Sequence, residues 1–108
     1  MNQRLKRKIE KRRRQQICEV LDLCLQINGL QKSEKELTGN HPTAFCEFSG
    51  HIAEVSTRIF VRGWKAGLHP DKSLSGHIAR PGELDQMIRE LKELKKDLHS
   101  GNCGRSRN

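Results

Sequence analysis

Eight of the chain's 21 lysines and arginines fall within its first fourteen residues: Arg4, Lys6, Arg7, Lys8, Lys11, Arg12, Arg13 and Arg14. One acid, Glu10, stands among them. A segment so charged cannot enter a hydrophobic core, because unpaired buried charges are too costly to desolvate. It has to lie outside the fold that the rest of the chain makes. The remaining residues carry thirteen cations against twelve acids, so almost all of the net charge of +8 belongs to the leading segment. This predicts a basic arm over 1–16, one small domain over 17–100 and a flexible tail over 101–108.

The body has modest means. Hydrophobic residues make up 33% of 108, which supports one core and no second domain. Residues 3–28 read as a single helix. Its first half is rich in Lys, Arg and Gln, all good helix formers, and its second half repeats Ile17, Val20, Leu21, Cys24 and Ile27 at helical spacing. Asn28-Gly29 supplies a stop. The alternation of Leu21, Leu23, Leu25 and Ile27 also suits a strand, so residues 20–27 stay open between the two at this point. Residues 30–42 read as a loop ending in the turn chemistry of Thr38 to Pro42.

A β-hairpin follows. Thr43 to Phe48 and His51 to Val61 flank Ser49-Gly50, which can make a two-residue turn. That turn would set Cys46 opposite Ala53 and Ala44 opposite Val55. One face would then hold Ala44, Cys46, Phe48, Ala53, Val55, Ile59 and Val61. The other would hold Glu47, Glu54, Ser56, Arg58 and Arg62, with Phe45, Ile52 and Phe60 as apolar exceptions. The stretch after Trp64, rich in Gly, Ser and Pro, reads as a long loop. From Gly82 to Leu98, the residues Leu84, Met87, Leu91, Leu94 and Leu98 repeat at spacings of three and four, with Ile88 widening the stripe. The expected fold class is α+β: a long basic N-terminal helix, a β-hairpin and a C-terminal amphipathic helix covering one face. Two strands alone make a weak sheet, which a third strand or a homodimer would relieve. The Leu84–Leu98 stripe offers one route to such a dimer.

The arm seeks a polyanion, either nucleic acid (DNA or RNA) or an acidic protein such as a host factor. Arg4, Arg7, Lys8, Lys11, Arg12, Arg13 and Arg14 are the candidate contacts to phosphates or base edges, where the planar guanidinium binds bidentately. If about half of the cations meet phosphate, log affinity falls with log salt at a slope of roughly −4. A membrane surface suits the arm poorly, because it offers no face of Leu, Phe or Trp. The arm resembles the arginine-rich RNA-binding helices of phage antitermination proteins and the basic helices that enter the DNA major groove.

Leu68-His69-Pro70-Asp71-Lys72-Ser73 resembles the His-Pro-Asp loop of J-domain co-chaperones. That resemblance would make His69, Pro70 and Asp71 contacts to a partner chaperone. The residues before it, Val55 to Gly67, read as strand and not as the basic helix of that family. Trp64, His69 and Asp71 form a second candidate surface, for protein binding.

Cys18, Cys24, Cys46 and Cys103 show no Cys-x-x-Cys spacing, and the histidines show no His-x-x-x-His. A zinc site is not expected, nor any other metal or cofactor. The first three thiols read as small buried hydrophobes, reduced in a cytoplasmic protein. No secretory h-region follows the basic start. No paired carboxylates, nucleophile–base set or phosphate loop stands out, so the chain reads as non-catalytic. Phe45 to Trp64, with Phe-Ser-Gly-His-Ile-Ala-Glu-Val and Arg-Ile-Phe-Val-Arg-Gly-Trp, resembles small phage and prophage early-region proteins. The resemblance implies a regulatory or accessory role and brings no catalytic residues with it.

Overall fold

A computed structural model describes residues 2–100 of the chain. The elements are α1 (Gln3–Asn28), α2 (Lys35–Thr38), β1 (Thr43–Ser49), β2 (Glu54–Phe60), β3 (Lys72–His77) and α3 (Glu83–Ser100). The three strands form an antiparallel meander in the order β1-β2-β3. Both long helices lie on one face of it, α1 over β1 and α3 over β3. The fold is α+β. The expected tail over 101–108, with Cys103, lies outside the described residues.

Residues 20–27 are helical. Val20, Leu23, Cys24 and Ile27 are buried from one side of α1, a pattern of threes and fours that a strand could not bury on one face. They meet Val55 and Ile59 from β2 and Leu84, Met87, Ile88 and Leu91 from α3. Each such side chain is worth roughly 1.5–3 kcal/mol on burial. The α3 stripe is therefore a core face, and it is occupied within the chain.

The hairpin differs from its sequence reading in the turn. Residues 50–53 span it, Ile52 N–H donates to Ser49 O at 3.3 Å, and Ala53 sits in the left-handed region at φ 52°. Cys46 consequently pairs with Thr57 and Ala44 with Ile59, four residues from the expected register. The tight turn would have put Pro42, which lacks a donor, opposite Thr57 and left Ile59 opposite Asn40 in the turn before β1. The wider turn pairs all of β2 with chain that can form a ladder. Because the shift is even, the faces survive: Ala44, Cys46, Val55, Ile59 and Val61 still belong to the core side. Ala53 leaves the strand for the turn. Phe48 overruns the helices and is 52% exposed.

Two further elements replace predicted loops. The four-residue α2 interrupts 30–42. Strand β3 lies in the segment read as a long loop, pairing Lys72 with Ile59, Leu74 with Thr57 and Gly76 with Val55. Leu74 is its only large apolar residue, so alternation gave little signal. At Gly76, α3 comes so close that a Cβ would sit 2.7 Å from Met87 Sδ.

Phe45 and Phe60, the apolar exceptions on the outer face, cluster with Trp64. Their ring centroids are 5.6 Å (Phe45–Phe60) and 6.3 Å (Phe45–Trp64) apart, both edge-on. Phe60 is only 3% exposed beneath them. The Arg58 guanidinium lies 4.7 Å from the Phe45 ring centre.

Candidate nucleic-acid interface

The arm is the first half of a helix whose second half is core. Asn2 caps it, its Oδ1 accepting Leu5 N–H at 2.8 Å. No acid stands in the first turn. The partial positive charge of a helix N-terminus therefore faces lysines and arginines, an unfavourable arrangement that a bound anion relieves.

Three contacts fix α1, at and just past the arm's root, to the turn before α3 and to α3 itself. Arg13 Nη1 donates to the Ile78 carbonyl in the turn between β3 and α3. Gln16 Nε2 donates to Asp85 Oδ1 at 2.6 Å, and Glu19 pairs with Lys92 at 3.2 Å. Residue numbers rise together on both helices, so α1 and α3 run parallel. The arm thus projects past the N-terminus of α3. Residues 3–12 extend about 15 Å beyond these ties at 1.5 Å per residue. The molecule measures 55 Å along its longest axis against 27 and 21 Å across.

Arg4, Lys6, Arg7, Lys8, Lys11, Arg12 and Arg14 are exposed. None of them makes an ion pair or side-chain hydrogen bond among the described residues. Arg13 is the exception. Half-buried and bound to a carbonyl, it belongs to the arm's root and not to its free surface. Nearby acids are engaged elsewhere: Glu83 accepts His77 N–H at 2.6 Å and lies 3.6 Å from Arg80, and Asp85 holds Gln16. The turn carrying Arg80 faces Arg12 and Arg13 across a small cleft. Residues 50–53 lie at this same end, since Ile78 N–H donates to Ala53 O at 3.0 Å. Sequence reading missed Arg80 because its place beside the arm depends on β3.

The second candidate surface is elsewhere. Trp64, His69 and Asp71 follow the far end of β2, at the other end of the sheet. Trp64 is half-buried, not exposed, and its N–H donates to Thr43 Oγ1 at 3.0 Å. Asp71 Oδ2 accepts Val61 N–H at 2.7 Å, and Asp71 N–H donates to Ile59 O at 2.9 Å, so the aspartate closes a turn. His69 is exposed. The tripeptide follows a strand and a turn, not a helix.

The thiols divide three ways. Cys18 is exposed, which corrects its expected burial, because it lies on the side of α1 opposite Val20 and Ile27. Cys24 is buried and Cys46 half-buried, and their thiols adjoin. Hydrogen bonding to Cys46, then burial, pushes Cys24 up, while the bond from Cys24 lowers Cys46 to about 7. Among the described residues no three His, Cys, Asp or Glu side chains gather as metal ligands would. No described helix is long and apolar enough to cross a membrane. No family model matches the sequence, and searches among curated proteins and among solved structures return no match.

Proposed function

We propose that this chain is a small, non-catalytic nucleic-acid-binding protein of the cytoplasm, acting in an accessory or regulatory role through its N-terminal arm. One observation carries the reading: seven cations on the leading half of α1 have no acidic partner among the described residues. Such a rod is a concentrated positive field against which Glu10 is the one acid of the arm, and phosphate backbones are the polyanions that match its charge density. The likeness of Phe45–Trp64 to phage early-region proteins supports an accessory role. An acidic protein would meet the same charges, but among its described residues the arm offers only Leu5 and half-buried Ile9 as apolar anchors, too few for a protein hot spot.

The test replaces Arg4, Arg7, Lys8 and Lys11 together by Gln, which keeps helix propensity. Binding to mixed DNA and RNA is then followed by fluorescence anisotropy between 50 and 200 mM salt. The unaltered chain should show a log–log slope of roughly −4, and the variant, which keeps Lys6 and Arg12 to Arg14, a slope of roughly −2 with unchanged circular dichroism. A flat response from the unaltered chain would refute the reading.

A further inference from the structure

We propose that the polyanion is duplex DNA in B-form, entered by the arm through the major groove. This rests on the nucleic-acid reading above and goes further, to the shape of the ligand.

The first argument is where the cations sit around the helix. At about 100° per residue, Arg4, Arg7, Lys8 and Lys11 centre on the side opposite the core. Arg12 lies on one flank and Arg14, at the arm's root just past Arg13, on the other, roughly 160° apart, while Lys6 points toward the side that carries the core farther along the helix. A helix resting on one charged surface uses one face, and flank cations on both sides would point into water. A helix lying between two phosphate rails uses its face and both flanks. Arg12 and Arg14 are both exposed and without a partner among the described residues, so both flanks are available.

The second argument is size. A helix with its side chains is about 10–12 Å across, and the major groove of B-form DNA is about 12 Å wide and 8.5 Å deep. The free length of about 15 Å then runs along the groove between its two rails before the body is reached. In A-form RNA the major groove is deep and narrow, and the accessible minor groove is shallow, with no second wall to meet the opposite flank.

The third argument concerns single strands, whose binders stack bases on aromatic rings. Residues 1–28 contain no aromatic residue. Phe45, Phe60 and Trp64 pack on one another at the opposite end of the sheet.

The body is placed to support this seating. At the arm's root, Arg80 stands across the cleft from Arg12 and Arg13. Its pairing with Glu83 is exposed and long, at 3.6 Å, and so easily exchanged for a phosphate. A duplex seated on residues 3–12, with Arg14 at its edge, brings the edge of its groove toward that turn.

The experiment measures affinity of the full chain for a 20-base-pair DNA duplex, the RNA duplex of the same sequence, and the single strands of each. The DNA duplex should bind at least tenfold tighter than any of the others. Methyl green, which occupies the major groove, should compete, and netropsin, which occupies the minor groove, should not. Arg12→Gln and Arg14→Gln, one on each flank, should each flatten the salt slope by about one unit. Equal or tighter binding to duplex RNA or to a single strand, displacement by netropsin alone, or a slope changed by only one flank variant would overturn the B-DNA inference and leave the nucleic-acid reading standing. Failure to bind any of the four at 50 mM salt would overturn both.

Discussion

Arg4 occupies the second position of α1, within its first turn, which holds no acid. Replacing it by Glu removes an unfavourable charge–dipole interaction and adds a favourable one, each typically 0.3–1 kcal/mol at an exposed site. Allowing for solvent screening, the first turns should gain about 1 kcal/mol. The gain is local, since Arg4 touches nothing in the body, so it should appear in fraying and not in global melting. Lys6 N–H is the first amide bonded back along the helix, to Asn2 O at 3.2 Å. Amide hydrogen exchange at residues 6–10 should therefore slow about fivefold in Arg4→Glu at 20 mM salt. At 0.5 M salt most of the difference should vanish. The same variant should bind nucleic acid more weakly, with a salt slope flatter by about one unit. Exchange that is unchanged or faster at low salt would refute the claim that the arm is a helix strained by its own charge. On the proposed function, binding and local stability oppose each other at this residue.

Other consequences concern the body. Gly63 has φ +96°, and a Cβ there would lie 2.6 Å from Gly39 O. Gly63→Ala should cost at least about 2 kcal/mol, lowering the melting temperature by about 8 °C or more; a shift within 2 °C would show that the two backbones have room to part. The Thr57 hydroxyl is buried without a partner among the described residues. Thr57→Val should stabilise by about 1 kcal/mol in urea titration, because the methyl keeps the shape and removes the unmet polar group, and a loss would contradict it. Cys46, lowered to about 7 by the thiol of Cys24, should alkylate with a half-maximal rate near that pH, and Cys24→Ala should move the profile up toward the ordinary thiol range. A profile that stays in place would show that the Cys24 bond is not the cause. Arg13→Gln should weaken nucleic-acid binding while leaving the salt slope within half a unit, because Arg13 orients the arm. A slope flatter by a full unit would make it a phosphate contact after all.

Much of this architecture was legible in the residues. The α1 stripe of Val20, Cys24 and Ile27 and the α3 stripe from Leu84 to Leu98 are long and periodic, and local spacing is enough to reveal an amphipathic helix. The inward faces of β1 and β2 were also readable, because a period of two survives any even slip. The register was not. It depends on Pro42 being unable to donate at a paired position, a tertiary consequence of how much of β2 must be covered. Strand β3 was hidden for a related reason: its inward Gly76 is required by the approach of α3, and its outward residues are Ser73, Ser75 and His77. The arm's cations were visible one by one. What the sequence could not separate was Arg13 from its neighbours, or bring Arg80 beside Arg12, since both depend on the turn between β3 and α3.

The continuity of the arm with α1 is what makes so charged a segment useful. A separate peptide of some fourteen residues, most of them repelling one another, would hardly nucleate a helix in water. Here the nucleus already exists. Val20, Leu23, Cys24 and Ile27 hold the second half of α1 in the core, so each arm residue adds only one propagation step to an existing helix. Arg13 and Gln16 then fix the direction in which that helix leaves the body. On the proposed function, nucleic acid would meet a rod whose ordering cost was largely met on folding, so more of each phosphate contact would appear as affinity. Were the arm a loose tail with the same composition, a few phosphate contacts would be set against the entropy of ordering a dozen residues. In a domain with one small core, sharing a single helix between core and interface supplies both a hydrophobic stripe and a preorganised cationic rod without adding an element.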